Sequence, residues 1–422
     1  MRVHAGRITS NSAPTSFLPA FIISHMNSKI KEKVQQSEFS ALKGKHRVIL
    51  KWATGVGKSK MTIDLINHVS TTACRALFVV AEKSHVQNWQ EEFQKWGLKD
   101  MDITIICYAS LHKFGNTEYD ILVLDEGHHA FTEKRKDILG TIKSRYIFML
   151  SATLSAQKIS DIEEIYGKFI TSTVTLKEAI KQDILPEPKV NIIEMELDNT
   201  TPNQEIHYLK GRNLPVISYE ERNKYIYKKI PCIIKCTERQ KYNYLTADME
   251  YWKERFQRSG NSFHQNRWVN LGSQRKRFLG ELKTERVKSL ISSFSKDTRF
   301  ICFCASVSQA EELDKKNTIS SKKSTKFNMA IIDAFNKKVI NRMYAVGMAN
   351  EGLNLVDIQA GIIVQLDGKE RLFIQKFGRS MRAEDPVSYI FYYKDTQDEK
   401  YLKNALENIE EKFINYTNIG TL

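Results

Sequence analysis

The feature that most constrains the fold is a glycine-rich turn set between an apolar run and a helical pattern. Residues His46–Trp52 centre on an apolar stretch that predicts a buried strand, and Lys58–Val69 has the periodicity of a helix. The turn between them reads Ala53-Thr54-Gly55-Val56-Gly57-Lys58-Ser59. Glycines let backbone N–H groups turn inward around an anion, and the following helix adds its positive N-terminal end. This order predicts a phosphate-binding loop.

The residues of this loop are candidates for holding a nucleotide. The predicted phosphate cradle consists of Thr54, Gly55, Val56, Gly57, Lys58 and Ser59. Lys58 would reach the β- and γ-phosphates, and Ser59 would supply a hydroxyl to Mg²⁺. The strict pattern has glycine at position 52, where this chain has Trp52. Taken alone the motif is therefore imperfect, and a chance glycine-rich turn is the alternative.

A pair of acids follows another apolar run. Ile121–Leu124 predicts a buried strand, and Asp125 and Glu126 come directly after it. A strand that ends in two acids places them at the edge of the sheet, beside the phosphate loop. Asp125 would hold Mg²⁺ through its water shell, and Glu126 would orient and deprotonate the attacking water. An acidic turn of no function is the alternative.

Short apolar runs alternate with helical patterns along both halves of the chain, which predicts α/β folding with parallel sheets. The first half ends near Leu185-Pro186-Glu187-Pro188, and the α/β alternation resumes at Arg299 after a basic stretch. We expect an N-terminal extension over residues 1–25, either disordered or upstream of a true start at Met26. One domain would span residues 26–188 and a second 189–422, with an insert at about 200–290. A closing helix is predicted over Asp398–Tyr416.

The net charge of +15 is concentrated in one part of the chain. Residues 201–300 contain 21 Lys and Arg against 10 Asp and Glu, a balance that favours a polyanionic partner. Aromatic residues are interleaved with the cations of this stretch, as in proteins that stack on single-stranded bases. A helical domain with its own aromatic core and a solvated basic surface is the alternative. The set is Trp252, Lys253, Arg255, Phe256, Arg258, Phe263, Arg267, Trp268, Arg275, Lys276, Arg277 and Phe278.

Four of the six cysteines form two short pairs. Cys232 and Cys236 are separated by three residues, and Cys302 and Cys304 by one. Together they offer four possible zinc ligands. Cys302 and Cys304, however, alternate within an apolar run typical of a buried strand, which favours a place in the core.

At this point the chain resembles a known family. Gly55-Val56-Gly57-Lys58-Ser59, Asp125-Glu126-Gly127-His128 and Ser151-Ala152-Thr153 look like motifs I, II and III of superfamily 2 helicases, and Asp-Glu-x-His is typical of their DExH group. This family often relaxes the first glycine of motif I. The resemblance implies that Ser151 and Thr153 couple the ATP state to domain closure, with His128 as a link.

Other motifs are similar in order and spacing over roughly residues 30–400. Residues 76–83 with Trp89 and Glu92 resemble motif Ia, and Tyr108–Leu111 resembles motif Ib; both usually touch the nucleic-acid backbone. A glutamine that reads adenine often precedes motif I, and Gln35 or Gln36 is the candidate here. Thr237–Tyr244 with Lys283–Phe294 is similar to the start of the second domain in Swi/Snf-type translocases.

The second half carries the motifs that would complete the site. Residues 301–306 resemble motif IV, and 350–355, with Gly352 as a further coupling residue, resemble motif V. Gln375, Arg379 and Arg382 match motif VI, so the resemblance implies catalytic roles for them. Arginines that reach the γ-phosphate from the other domain would stabilise the transition state only when the cleft closes.

The resemblance implies two tandem RecA-like domains with a basic, mainly helical insert, and an ATP- and Mg²⁺-dependent helicase or translocase. Nucleic acid is the expected partner, with DNA favoured over RNA, and no membrane partner is expected because no apolar run approaches about 18 residues. A monomer in the cytoplasm is the default expectation. The alternatives are a double-strand translocase, an RNA helicase, a binding clamp with little ATPase, and the motor subunit of a restriction or repair complex.

Overall fold

A computed structural model describes residues 20–208, 232–347, 355, 357–366, 386–407 and 409–417 of the 422-residue chain. Two parallel sheets flanked by helices confirm the predicted α/β class. The helices are α1 (Ala20–Leu42), α2 (Lys58–Val69), α3 (Lys83–Trp96), α4 (Glu133–Thr141), α5 (Ala156–Tyr166), α6 (Leu176–Lys181), α7 (Glu238–Ser259), α8 (Ser262–Leu282), α9 (Thr284–Ser293), α10 (Val307–Asp314), α11 (Thr325–Asn336) and α12 (Gln397–Leu406). The strands are β1 (Arg47–Trp52), β2 (Arg75–Val80), β3 (Asp102–Cys107), β4 (Glu118–Leu124), β5 (Lys143–Leu150), β6 (Ile170–Val174), β7 (Lys189–Met195), β8 (Gln204–Tyr208), β9 (Cys232–Cys236), β10 (Phe300–Phe303), β11 (Thr318–Ser320), β12 (Arg342–Val346), β13 (Ala360–Ile363), β14 (Val387–Tyr393) and β15 (Ile414–Thr417).

The first sheet has six parallel strands in the order β3-β2-β4-β5-β1-β6. Strand β5 lies between β1 and β4, with Leu150 paired to Leu50 and Met149 paired to Leu124. Because all the strands run in the same direction, the segments that follow β1, β4 and β5 meet at one edge of the sheet. This edge, at the carboxyl ends of the strands, is where open α/β sheets bind their ligands.

The inner strands β2, β4 and β5 of the first sheet are apolar and buried toward their carboxyl ends, because both faces of the sheet are covered there. In β2, Leu77 and Val79 pack into one hydrophobic cluster, and Phe78 and Val80 pack into another on the opposite face. The burial of both faces fixes the positions of the loops at the strand ends. The helix predicted over Lys58–Val69 is confirmed with the same bounds.

The second sheet has seven parallel strands in the order β11-β12-β10-β13-β14-β7-β15. Strand β7 lies between β14 and β15, so the chain enters the second sheet directly after Pro188. Strand β10 buries Cys302 and places its Sγ 3.7 Å from that of the buried Cys304. Among the described residues, no group of three or more His, Cys, Asp and Glu side chains is arranged to hold a metal.

The single closing helix predicted over Asp398–Tyr416 is wrong. Helix α12 ends at Leu406, and strand β15 pairs in parallel with β7, with Ile414 opposite Val190. The helical periodicity is a local signal, whereas β-branched and aromatic residues join a strand when an edge is available to pair with. Here β7 offers that edge.

Helix α1 begins at Ala20, so it overlaps the last six residues of the predicted extension. Residues 1–19 lie outside the described part of the chain. Within the described ranges, none of the helices combines the length and the apolar character of a membrane span.

The described part of the insert is mainly helical, as predicted. Strands β8 and β9 form a short antiparallel pair, and α7 and α8 form a helical hairpin closed by Gly260 and Asn261. Gly260 ends α7 at φ +62°, and the Asn261 side chain accepts a hydrogen bond from the Phe263 N–H at 2.8 Å. These two caps define the turn between the helices.

The base of the helical hairpin is attached to the second sheet. The attachment is a buried cluster of Leu197, Tyr242, Phe278, Leu279 and Tyr393. Next to it, the fully buried Lys283 donates to the Asp398 carboxylate at 2.6 Å and to the carbonyl oxygens of Val364 and Phe391. Burial lowers the pKa of Lys283, and the Asp398 carboxylate opposes this change. A buried cation with this many acceptors holds the end of α8 in place.

Candidate nucleotide-binding and catalytic site

The predicted phosphate loop connects β1 to α2 at the carboxyl edge of the first sheet. Gly55 and Gly57 have φ values of +94° and +106°, in the left-handed region that favours glycine. A Cβ on Gly57 would also lie 2.2 Å from the Gln35 Nε2. Helix α2 has no acidic residue in its first turn, which leaves its positive end free of opposing charge. The loop therefore has the backbone shape and polarity of an anion cradle.

Helix α1 braces this loop from outside the motif. The buried Gln35 donates from Nε2 to the Val56 carbonyl oxygen at 2.8 Å, and Lys31 donates from Nζ to that of Gly55 at 2.6 Å. Of the two candidate glutamines, Gln36 is exposed and Gln35 contacts the loop. Lys31 was not predicted, because no local pattern connects it to residues more than 20 positions away.

Trp52, the departure from the strict motif, is the last residue of β1 and is fully buried. Its indole donates to the Ser172 hydroxyl at 2.7 Å, and that hydroxyl donates to Glu38 at 2.6 Å. Its carbonyl oxygen accepts from the Lys58 Nζ at 2.9 Å. Position 52 thus belongs to the strand, and its side chain ties β1 to β6 and α1 instead of lining the loop.

Asp125 lies directly after β4 and is oriented by two residues of α3. Its Oδ2 accepts from the Trp89 indole at 3.0 Å and lies 3.5 Å from the His85 Nδ1. Burial alone would raise the pKa of Asp125, but His85, Trp89 and the charge of Lys58 outweigh it and lower the pKa. The carboxylate is therefore kept ionised beside the phosphate loop, as a magnesium-holding residue must be.

Glu126 continues into a chain of polar contacts. Its backbone has φ +46°, and its Oε2 lies 3.3 Å from the His128 Nδ1. The same Nδ1 lies 3.3 Å from the Ser151 hydroxyl, which accepts from the Thr153 N–H at 3.2 Å. His128 and Ser151 are both buried, so these contacts are shielded from water. The structure brings together four of the predicted residues in one continuous line.

The sheet order explains this line. Since β5 lies between β1 and β4, the residues after β5 are placed between the phosphate loop and the acid pair. Ser151 is the first residue after β5, and its N–H donates to the carbonyl oxygen of Leu50 on β1. Gly127 packs so closely on β5 that an added Cβ would lie 2.5 Å from the Met149 side chain. Strand register and close packing together hold Asp125 and Glu126 next to the segment Ser151-Ala152-Thr153.

Tyr108 was predicted to lie in a nucleic-acid contact, but its side chain is buried, and so is that of Leu111. The Tyr108 hydroxyl makes no hydrogen bond to any described residue. Burial, followed by the charges of Asp125 and Glu126, raises the pKa of Tyr108. Both side chains belong to a hydrophobic cluster of the first sheet, so neither is exposed to a ligand.

Ser59 and Asp125 offer a hydroxyl and a carboxylate as magnesium ligands. Phosphate oxygens and water would complete the coordination. This donor chemistry fits Mg²⁺, which usually keeps several waters. Gly352, Gln375, Arg379 and Arg382 lie outside the described residues, so their predicted roles remain predictions.

Two family models match the sequence, one in each half. A model described as the res subunit of type III restriction enzymes matches residues 22–113, which include the phosphate loop. A model of the helicase conserved C-terminal domain matches residues 282–384. No curated protein sequence matches the chain.

Solved structures share the fold over most of this chain. Dbp5 of S. cerevisiae, solved with RNA and ADP BeF3, has a TM-score of 0.57 and 11% identity over 92% of this chain and 90% of its own. Mss116p, solved with ssRNA and AMP-PNP, has a TM-score of 0.50 and 16% identity over 87% of this chain and 70% of its own. At such identities the likeness concerns the fold, and it agrees with two tandem RecA-like domains.

Proposed function

We propose that this chain, which has the paired domains of a superfamily 2 helicase, is a nucleic-acid-dependent ATPase of the DExH group that moves along or unwinds DNA. The observation that carries the proposal is the line of contacts from Glu126 through His128 and Ser151 to Thr153. It joins the residue placed for hydrolysis to the segment after the central strand. A phosphate-binding loop without a motor function has no need of such a line.

Each residue at the edge of the first sheet has a task in this proposal. The phosphate loop holds the nucleotide phosphates with backbone N–H groups and with Lys58, whose Nζ lies 2.9 Å from the Trp52 carbonyl oxygen. ATP bound with Mg²⁺ supplies a phosphoanhydride bond whose hydrolysis releases free energy. In this proposal Ser59 and Asp125 ligate the ion, and Glu126 accepts a proton from the attacking water.

His128 has the position of a relay between hydrolysis and movement. Its Nδ1 lies 3.3 Å from both the Glu126 carboxylate and the Ser151 hydroxyl. A shift of the segment after β5 would therefore displace His128 relative to Glu126. Arg379 and Arg382 would complete the site from the second domain, so that hydrolysis depends on closure of the two domains.

DNA is the track that we favour, because the family model matched in the first half describes a subunit of restriction enzymes. Both solved neighbours named above were bound to RNA, however, so RNA is the competing track. The concentration of positive charge in residues 201–300 suits either polyanion.

The test compares ATP hydrolysis by the wild type, Glu126→Gln and Glu118→Gln. Glu118 lies at the opposite, exposed end of β4 and is the matched control. Each protein is assayed alone and with single-stranded DNA, duplex DNA or RNA. We expect one nucleic acid to stimulate the wild type and the control, and Glu126→Gln to lower kcat by about 10²-fold or more.

Two results would contradict the proposal. One is the absence of stimulation by any of the nucleic acids, and the other is equal hydrolysis by the wild type and Glu126→Gln. The nucleic acid that stimulates most identifies the track and decides between DNA and RNA.

A further inference from the structure

The far end of the helical hairpin, here called the hairpin tip (residues 251–268), combines aromatic rings with cations. It contains one carboxylate, Glu254, against four cationic side chains. Rings and cations alternate along both helices and across the turn. The rings are Tyr251, Trp252, Phe256, Phe263, His264 and Trp268, and the cations are Lys253, Arg255, Arg258 and Arg267.

Three of these rings form a platform that is open to solvent. Trp252 stands edge-on between Tyr251 and Phe263, with ring centroids 5.3 and 5.8 Å away. Tyr251 is 50% exposed and Phe263 is 58% exposed. The Trp252–Phe263 contact joins the two helices, but this contact leaves more than half of Phe263 and half of Tyr251 exposed to solvent. Exposed aromatic surface of this kind marks a binding site.

Guanidinium groups flank the platform. The Arg255 guanidinium lies 5.5 Å from the Tyr251 ring and donates to the tyrosine hydroxyl at 2.7 Å. The Arg267 guanidinium lies 5.6 Å from the Trp252 ring on the other helix. Rings that stack on bases beside cations that neutralise phosphates are the chemistry by which single strands are held.

The platform lies away from the core of the second domain. Tyr251 follows the buried Tyr242 by nine residues, or about 14 Å of helix, and Phe263 precedes the buried Phe278 by fifteen residues, or about 22 Å. The hydrophobic cluster at the base contains none of the tip residues. The tip therefore presents its rings on a projecting arm with a separate, firm attachment.

We propose that the hairpin tip binds unpaired nucleobases of the nucleic acid on which the motor acts, a proposal that rests on the function proposed above. Within a nucleic acid, the surfaces on which the rings can stack are the base faces, and a duplex exposes these only at its ends, so the tip selects single strands. Tyrosine, tryptophan and arginine are also enriched where proteins bind one another. The excess of cations over carboxylates at the tip favours nucleic acid, a polyanion, over a protein partner.

The experiment measures the binding of fluorescein-labelled 20-nucleotide single-stranded DNA, the same sequence as RNA, and a blunt 20-base-pair duplex by anisotropy without nucleotide. The variant is Tyr251→Ala with Phe263→Ala in the full chain. We expect single-strand affinity to fall about tenfold or more, and duplex affinity to change less than twofold. Comparing the affinities for single-stranded DNA and for single-stranded RNA shows which of the two the tip prefers.

Matched controls separate stacking from folding and from general loss of apolar surface. Phe327→Ala with Tyr416→Ala removes two exposed rings elsewhere in the second domain and should leave binding unchanged. Tyr251→Trp with Phe263→Trp keeps stacking faces and should retain wild-type affinity. Thermal unfolding followed by circular dichroism should give the alanine variant the melting temperature of the wild type.

The outcomes distinguish this proposal from the proposed function. If the alanine variant binds single strands as well as the wild type does, or loses duplex affinity equally, the tip proposal is overturned. If the variant loses single-strand affinity while the wild type shows no nucleic-acid-stimulated hydrolysis, the tip proposal stands and the motor function fails.

Discussion

The edge of the first sheet and the hairpin tip differ in how their functional side chains are held. At the edge, Asp125 is fixed by Trp89 and His85, and Glu126 lies against His128. At the tip, Tyr251 and Phe263 stand in solvent. Hydrolysis needs charges in place before the substrate arrives, since preorganisation lowers the barrier. A nucleic acid that presents a different base sequence at each position instead requires an exposed binding surface that accepts any base.

The two regions also differ in what anchors them. The edge is built from loops at the ends of neighbouring strands, so its geometry is inherited from sheet register. The tip depends on one attachment at the hairpin base, including the Lys283–Asp398 pair. Substitutions can therefore disable either region separately, and the following predictions use that separation.

The largest effect is expected for Lys58→Ala. Lys58 is the only cation of the predicted phosphate cradle, and its charge also helps to keep Asp125 ionised. We expect kcat/KM for ATP to fall about 10²–10³-fold, with single-strand binding in the absence of nucleotide retained. Lys60→Ala, two residues on and paired with Asp64 at the surface, is the control. Loss of single-strand binding in Lys58→Ala would contradict the separation of the two regions.

Lys283→Met is expected to cost about 3–5 kcal/mol of stability, because it leaves the Asp398 carboxylate buried without its cation. Urea unfolding followed by circular dichroism measures the cost. Adding Asp398→Asn should recover most of it, since the amide needs no counter-charge.

A surface pair gives the control for this prediction. Lys337→Met removes the cation from an exposed pair with Asp333 and should cost no more than about 0.5 kcal/mol. Equal costs for the two lysine variants would show that the Lys283 pair is not what anchors the hairpin base.

Trp89→Phe tests the fixed geometry of the edge. Phenylalanine keeps a ring against Phe78 and Phe93 but loses the indole N–H that donates to Asp125 at 3.0 Å. A carboxylate that keeps His85 but has lost the Trp89 donor is less well oriented and should bind Mg²⁺ about tenfold more weakly, as when other outer partners of metal ligands are lost. The Mg²⁺ dependence of hydrolysis is the measurement, and Trp96→Phe, whose indole donates to Glu92 at the surface, should leave it unaltered. An unshifted Mg²⁺ dependence in Trp89→Phe would contradict the positioning role.

Sequence patterns predicted the elements whose signals are local. Helix α2 has its predicted bounds because the glycine-rich turn and the apolar spacing are both contained in one short segment. The closing helix was wrong because β15 is decided by pairing with β7, more than 200 residues earlier. The hydrogen bonds from Lys31 and Gln35 to the phosphate loop could not be predicted from the sequence either, because contacts between distant segments produce no periodic pattern of residues.

The candidate site divides in the same way. The sequence named Asp125, Glu126 and His128 in one motif and Ser151 in another, while the order of the strands brings the two motifs into contact. Trp89 was named with the segment that resembles motif Ia, and the structure packs its ring in the core against Phe78 and Phe93. Its hydrogen bond to Asp125 was not predicted, because the spacing of hydrophobic residues indicates which side chains are buried but not which acceptor an indole N–H binds.

The smallest effect is expected for Ser151→Ala, which interrupts the line between the acid pair and Thr153. Its hydroxyl lies 3.3 Å from the His128 Nδ1 and accepts from the Thr153 N–H, while His128 keeps its contact with Glu126. Stimulation of hydrolysis by nucleic acid should therefore fall by about threefold, roughly the effect of one neutral hydrogen bond, while single-strand binding is retained. Ser144→Ala, at the other end of β5 with its hydroxyl donating to the Tyr146 carbonyl oxygen, is the control. If nucleic acid stimulates ATP hydrolysis by Ser151→Ala as fully as by Ser144→Ala, the line of contacts does not couple nucleic-acid binding to the edge of the first sheet. The hairpin tip and the edge must then communicate through the second domain.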